Sequence, residues 1–117
     1  MSYQPGKHLI ATLSTDEPKL INTYAAFRTL VEELIAQYQL QKLGEVYHDF
    51  SPAGFTAVIC LSESHLSIHT WPEHGLINLD IYLSNFKRNN EDAVLGIYQS
   101  LENHFAATVL QQQIITR

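Results

Sequence analysis

The sequence contains a single cysteine, Cys60. One thiol excludes an internal disulfide, is too little for a structural zinc site and agrees with a reducing compartment. Basic residues are also scarce: 7 Lys and Arg stand against 12 Asp and Glu, for a formal charge of −5. Without a basic run to neutralise a phosphate backbone, nucleic acid is not an expected partner. No apolar stretch approaches the roughly 20 residues that cross a bilayer, and the opening MSYQPGKH lacks the apolar core of a signal peptide. A cytoplasmic protein acting on a small molecule, away from membranes, is therefore expected. Repeats, low-complexity tracts and Pro/Gly/Ser-rich linkers are absent too, so residues 1–117 are read as one domain whose 45% apolar content can fill a single core.

What is present is periodicity. His8 to Leu13 is an apolar run suited to a strand, ending in Ser14-Thr15-Asp16, which offers caps for a helix that Pro18 can begin. Leu20, Tyr24, Phe27, Val31, Leu34 and Tyr38 recur at three- and four-residue steps, which predicts a helix from about Pro18 to Gln39. Strand-like segments follow at Glu45–His48 and Phe55–Leu61, separated by Ser51-Pro52-Ala53-Gly54. A second helix is predicted over Glu91–Phe105, with Val94, Ile97, Tyr98, Leu101 and Phe105 as its stripe, and a last strand over Ala107–Ile115. Two helices interrupting mostly adjacent strands predict an α+β fold: a two-layer sandwich, mainly antiparallel, with both helices on one face of the sheet.

The other face carries the polar residues. His65–Trp71 alternates, with His65, Ser67, His69 and Trp71 on one side, and Asn78–Ser84 alternates with Asn78, Asp80, Tyr82 and Ser84 together. A two-residue His74-Gly75 turn would set His69 opposite Asp80 and His65 opposite Ser84, whereas a longer turn would keep the faces and move the pairs. A polar face on an antiparallel sheet is most often its solvated side. Clustering alone therefore leaves a bland and a functional reading open.

The ordered string Glu63-Ser64-His65-Leu66-Ser67-Ile68-His69-Thr70-Trp71-Pro72-Glu73 closely resembles the cleavage segment of bacterial-type S-adenosylmethionine decarboxylase proenzymes, which are pyruvoyl-dependent decarboxylases. Gly6-Lys7-His8-Leu9-Ile10 resembles that family's first strand and Asp80-Ile81-Tyr82 the strand after the hairpin, so the likeness covers most of the chain up to Asn85; the C-terminal third fits by pattern only. The resemblance implies that Ser64 attacks the Glu63 carbonyl, cutting the chain into a β chain, 1–63, and an α chain, 64–117, headed by a pyruvoyl group made from Ser64. It further implies that His69 and the Thr56 hydroxyl assist this processing, a proton-transfer task suited to imidazole. Glu73 would hold the ribose hydroxyls and Phe50 would offer a ring to the adenine and sulfonium, with Trp71 in the same pocket. S-adenosylmethionine is then the substrate, the product is the aminopropyl donor for spermidine, and the assembly is a homodimer with sheets or site edges meeting across two protomers.

One position departs from the family pattern. Two residues after Tyr82 the family has a cysteine that returns a proton to the substrate carbon, and here Ser84 stands in its place. A thiol titrates near 8.5 and an alcohol is a far poorer acid. Tyr82, His65 and Cys60 are candidate substitutes, although a buried structural thiol is the expected state of Cys60. Two other readings follow from the departure: a pyruvoyl-dependent decarboxylase of another amino acid, such as arginine or ornithine, and an uncleaved, non-catalytic paralogue. A metal protein built on some of the six histidines is disfavoured, since His65 and His69 have no evident supporting ligands in the sequence.

Overall fold

The computed structural model describes residues 3–85 and 88–117. Among these residues six strands, β1 (Lys7–Thr15), β2 (Lys42–Asp49), β3 (Phe55–Leu61), β4 (Ser64–Trp71), β5 (Leu76–Leu83) and β6 (Ala107–Thr116), form one antiparallel sheet in the order β2-β3-β4-β5-β1-β6. The helices α1 (Ala25–Gln37) and α2 (Glu91–His104) cover one face. Alternation sends Leu9, Ala11, Leu13, Phe55, Ala57, Ile59, Leu66, Ile68, Ile77, Leu79, Ile81 and Leu83 under them, all at most 4% exposed. Each large side chain so buried contributes about 1.5–3 kcal/mol. The Phe27 ring of α1 bridges the layers, 5.4 Å from Phe55 and 6.2 Å from Phe105. The α+β sandwich expected from periodicity is the fold observed, and no helix among the described residues is long and apolar enough to cross a membrane.

The first helix starts later than its apolar stripe suggests. Pro18–Ile21 is a separate 3₁₀ turn, and α1 begins only at Ala25. The reason is competition for carbonyls: the Thr70 hydroxyl donates to the Ile21 oxygen at 2.9 Å and the Gly54 N–H to the Asn22 oxygen at 2.9 Å. Those oxygens are thereby aimed at donors outside the helix rather than at the N–H groups four residues on. Asp49 then accepts from the Tyr24 N–H at 2.8 Å, placing a carboxylate at the positive start of α1. Of the predicted stripe, Phe27, Val31 and Leu34 are buried, Leu20 is exposed and Ile21 fills the core instead.

The hairpin register also differs from the two-residue expectation. Trp71 pairs with Leu76 around a four-residue loop, Pro72–Gly75, which sets His69 opposite Asn78, Ser67 opposite Asp80 and His65 opposite Tyr82. Pro72 cannot donate to the ladder, so the strand ends at Trp71. Gly75, at φ 61°, closes the turn with its N–H on the Pro72 oxygen at 3.1 Å. The faces stay as alternation dictates and only the pairs move.

Candidate active site

The predicted site residues fall into two groups at opposite ends of β3 and β4. At one end, Leu61 pairs with Ser64 around a two-residue Ser62-Glu63 turn. Ser64 takes φ 135°, a backbone conformation that a non-glycine residue adopts at a cost of about 1–3 kcal/mol. The strained residue is the one that follows the Glu63 carbonyl, and that carbonyl accepts the Ser84 N–H at 2.8 Å. Ser84 thus reaches the Glu63–Ser64 peptide through its main chain.

The Glu63 side chain is fixed as firmly as its carbonyl. Arg88 grips it with two nitrogens, Nη2 to Oε1 at 2.8 Å and Nε to Oε2 at 3.3 Å, and the Asn90 amide donates to Oε2 as well. Asn90 is 3% exposed, and the same amide nitrogen donates to the Ser84 carbonyl oxygen at 2.8 Å. Burial pushes the Glu63 carboxyl up, but the Arg88 and Asn90 bonds and the Arg88 charge outweigh it and hold the group below its ordinary value. Ser64, Tyr82, Ser84, Arg88, Tyr3 and Gln39 line an open cleft of about 800 Å³ beside this peptide.

At the other end, Phe50, Thr56, His69, Trp71 and Glu73 border a second cleft of about 500 Å³. His69 is exposed, paired across strands with Thr56, whose hydroxyl lies 2.5 Å from His69 Nδ1 and 3.3 Å from the Ile68 carbonyl oxygen. The Phe50 ring is half exposed and 4.7 Å from His48, and Trp71 stands 6.3 Å from His69. Within one chain this group does not meet the first. His69 follows Ser64 by five residues on β4, which at about 3.3 Å per residue separates them by ~16 Å.

Between the two ends lies a third cluster on the open face. Asp80 Oδ1 contacts His8 Nε2 and stands 3.4 Å from His65 Nε2, while the Tyr82 ring lies 5.1 Å from His8. Arg117 Nη1 is 3.1 Å from His8 Nδ1 and its guanidinium lies 5.3 Å from the centre of the Tyr82 ring. His65, for which the sequence offered no partner, therefore has one in Asp80. His8, His65 and Asp80 bring their ligand atoms within 4.8 Å of one another, a spacing that suits a metal ion. The partners argue for a hydrogen-bonded relay instead. Arginine only donates, so Arg117 fixes the lone pair of His8 on Nδ1 and the hydrogen on Nε2, facing Asp80, whereas a metal-bound histidine needs its lone pair at the metal and an acceptor behind it.

Cys60 departs from expectation: its thiol is exposed on the open face, paired across strands with His65, because alternation along β3 turns Ile59 and Leu61 inward. The sequence reading also missed His8, Arg117, Arg88 and Asn90. His8 was legible as the polar alternate of Leu9, but the segment before α2 has no periodicity that could mark Arg88 or Asn90.

Fold and site together define an α+β sandwich whose open polar face ends at a strained, clamped Glu-Ser peptide. The sequence profile of the S-adenosylmethionine decarboxylase family matches residues 7–117, including the C-terminal third that carries no motif of its own. An S-adenosylmethionine decarboxylase proenzyme from Archaeoglobus fulgidus is 47% identical over 77 residues, covering 66% of this chain and 69% of that protein. One from Picrophilus torridus is 39% identical over 93 residues, covering 80% and 72%. The crystal structure of the adenosylmethionine decarboxylase from Aquifex aeolicus superposes with a TM-score of 0.78 at 27% identity, over 99% of this chain and 91% of that one. The chain belongs to the S-adenosylmethionine decarboxylase family.

Proposed function

We propose that this chain is a pyruvoyl-dependent S-adenosylmethionine decarboxylase that cleaves itself between Glu63 and Ser64 and works as a homodimer. The observation that carries the reading is the state of the Glu63–Ser64 peptide: strained at Ser64, with the Glu63 carbonyl already accepting the Ser84 N–H. Attack by the Ser64 hydroxyl oxygen forms a bond to the Glu63 carbonyl carbon while the C–N bond breaks and the nitrogen gains a proton, so the peptide becomes an ester of the same composition. The Ser84 N–H is aimed where the oxyanion of that step develops. Removal of the Ser64 Cα proton then expels the main-chain carboxylate of Glu63, and water displaces the Ser64 nitrogen, which leaves as ammonia, so that a pyruvoyl group remains. The residues at this end fit such a group, since the cleft beside Ser64 is open to a substrate.

His69 serves as the base of this processing. When the Thr56 hydroxyl donates to the Ile68 oxygen it accepts from His69 Nδ1, which leaves the lone pair on Nε2 free to take a proton. At ~16 Å from Ser64 along its own strand, His69 acts on the serine of a second protomer. A two-fold axis lying between two open faces, perpendicular to the strands, sets the Ser64 end of each sheet over the His69 end of the other. Ile10, Val46 and Val58, 40–66% exposed on that face, support its burial in a dimer.

In the mature enzyme the pyruvoyl carbonyl supplies the electron sink for decarboxylation. Phe50 and Trp71 present rings for the adenine and sulfonium, and the exposed Glu73 offers two acceptors to the ribose hydroxyls. Release of labelled carbon dioxide from carboxyl-labelled S-adenosylmethionine tests the reading. Release from arginine or ornithine in its place would overturn the substrate assignment, and release from none would leave a non-catalytic relative, which the Ser84 side chain favours.

A further inference from the structure

We propose that Asn90 and Arg88, in the segment leading into α2, are positioning residues for scission of the Glu63–Ser64 peptide. The inference rests on the self-cleavage reading and assigns it two residues that neither the cleavage motif nor the strand pattern contains. The Asn90 amide ties together the two strands that meet at the scissile bond, donating to the Glu63 carboxylate from one side and to the Ser84 carbonyl at 2.8 Å from the other. Since Ser84 gives its own N–H to the Glu63 carbonyl, this second bond sets the direction of the donor facing the developing oxyanion. Arg88 completes the grip, holding both Glu63 oxygens and, through Nη2, the Gln39 carbonyl oxygen at 2.9 Å, so Glu63 cannot swing away from the ladder. The segment is itself anchored, with the Asn90 N–H on Asn85 Oδ1 at 2.7 Å and the Asn85 amide on the Pro5 oxygen at 2.8 Å.

Alternative duties for this clamp are weak. An ion pair at a surface turn is worth little for stability. A nine-tenths buried amide joining the Glu63 side chain to the Ser84 main chain, the two partners that flank one peptide, is a costly device unless the orientation of that peptide matters. The step served is the N-to-O acyl shift: the Ser64 oxygen bonds to the Glu63 carbon, the C–N bond breaks, and charge gathers transiently on the Glu63 oxygen held by Ser84. A carbonyl free to rotate loses that alignment, and small misplacements at a reacting centre cost rates severely.

The test follows cleavage of freshly purified full-length protein by intact mass, with and without hydroxylamine, which captures the ester. Asn90→Ala should slow cleavage ~10-fold or more while the circular dichroism spectrum is retained, and hydroxylamine should not restore the rate, because the ester itself forms slowly. Arg88→Met, at a partly exposed position, should behave likewise and carries the test if Asn90→Ala fails to fold; Arg88→Lys should recover part of the rate. Folded variants that cleave as fast as the unsubstituted chain, or slow variants fully rescued by hydroxylamine, would overturn the assignment and leave self-cleavage intact. An unsubstituted chain that never cleaves would overturn both.

Discussion

The proposed sharing of the processing site between two protomers makes a prediction that single substitutions cannot. Ser64 and His69 are separated by five residues of regular β4, or about 16 Å at ~3.3 Å per residue, whereas a general base works within roughly 3 Å or through one water. Ser64→Ala and His69→Ala should each abolish cleavage in homodimers. Co-expressed with different tags and isolated by tandem affinity, the mixed dimer of the two variants holds one site with both residues intact and one with neither. The His69→Ala chain, which retains Ser64, should therefore be cut in every mixed dimer while the Ser64→Ala chain stays whole. The reciprocal dimer, an unsubstituted chain with a Ser64→Ala/His69→Ala partner, should not be cut, because its intact Ser64 faces the substituted position. Intact-mass analysis of both dimers reads the outcome directly. If the reciprocal dimer is cut and the first is not, His69 acts within its own chain and the spacing argument fails.

Further outcomes follow from particular contacts. Ser84→Cys should leave self-cleavage unchanged, because Ser84 serves that step through its N–H, and should raise decarboxylation ~10-fold or more by restoring a thiol acid; equal turnover would show that the proton comes from elsewhere, with Tyr82 and Cys60 next to test. Gly6→Ala would put a methyl 2.2 Å from the Leu83 oxygen and 2.9 Å from Ser84 Cα, both main-chain atoms that cannot step aside. A loss of about 1–3 kcal/mol in denaturant unfolding and slower cleavage should result, and an unchanged midpoint would refute the close approach. Burial holds the His104 imidazole below its ordinary 6.5, and its Nε2 has no partner among the described residues. The unfolded chain then binds the extra proton first, so stability should fall as pH drops through about 6.5, by at most ~1.4 kcal/mol per pH unit, and His104→Leu should flatten that slope. The Glu63 contribution has the same direction but a different origin, a carboxylate favoured by Arg88 and Asn90, so it persists above its ordinary 4.5 and fades only as pH falls toward the lowered value.

Element types were legible because each rests on a period. The Phe55–Leu61 strand and the Val94–Phe105 stripe were read from alternation and three- to four-residue steps, and both stand where expected. Tertiary hydrogen bonds moved the rest. Thr70 and Gly54 bind the Ile21 and Asn22 carbonyls that would have carried a helix from Pro18 into α1, and Pro72 with Gly75 lengthened the turn that sets which residues face each other. The site divided along the same line. Its motif residues were readable as a string, but a string hides the fact that Ser64 and His69 lie at opposite ends of one strand. The Arg88–Asn90 clamp comes from an aperiodic segment, and nothing short of three-dimensional contacts brings it to Glu63.

Intact mass spectrometry of the purified protein after long incubation decides whether the chain cleaves itself. Two chains divided between Glu63 and Ser64 are expected, the residue 64–117 fragment blocked at its N-terminus and lighter than its serine form by the loss of the amine. A single intact chain, or fragments divided anywhere else, would contradict self-cleavage at that peptide.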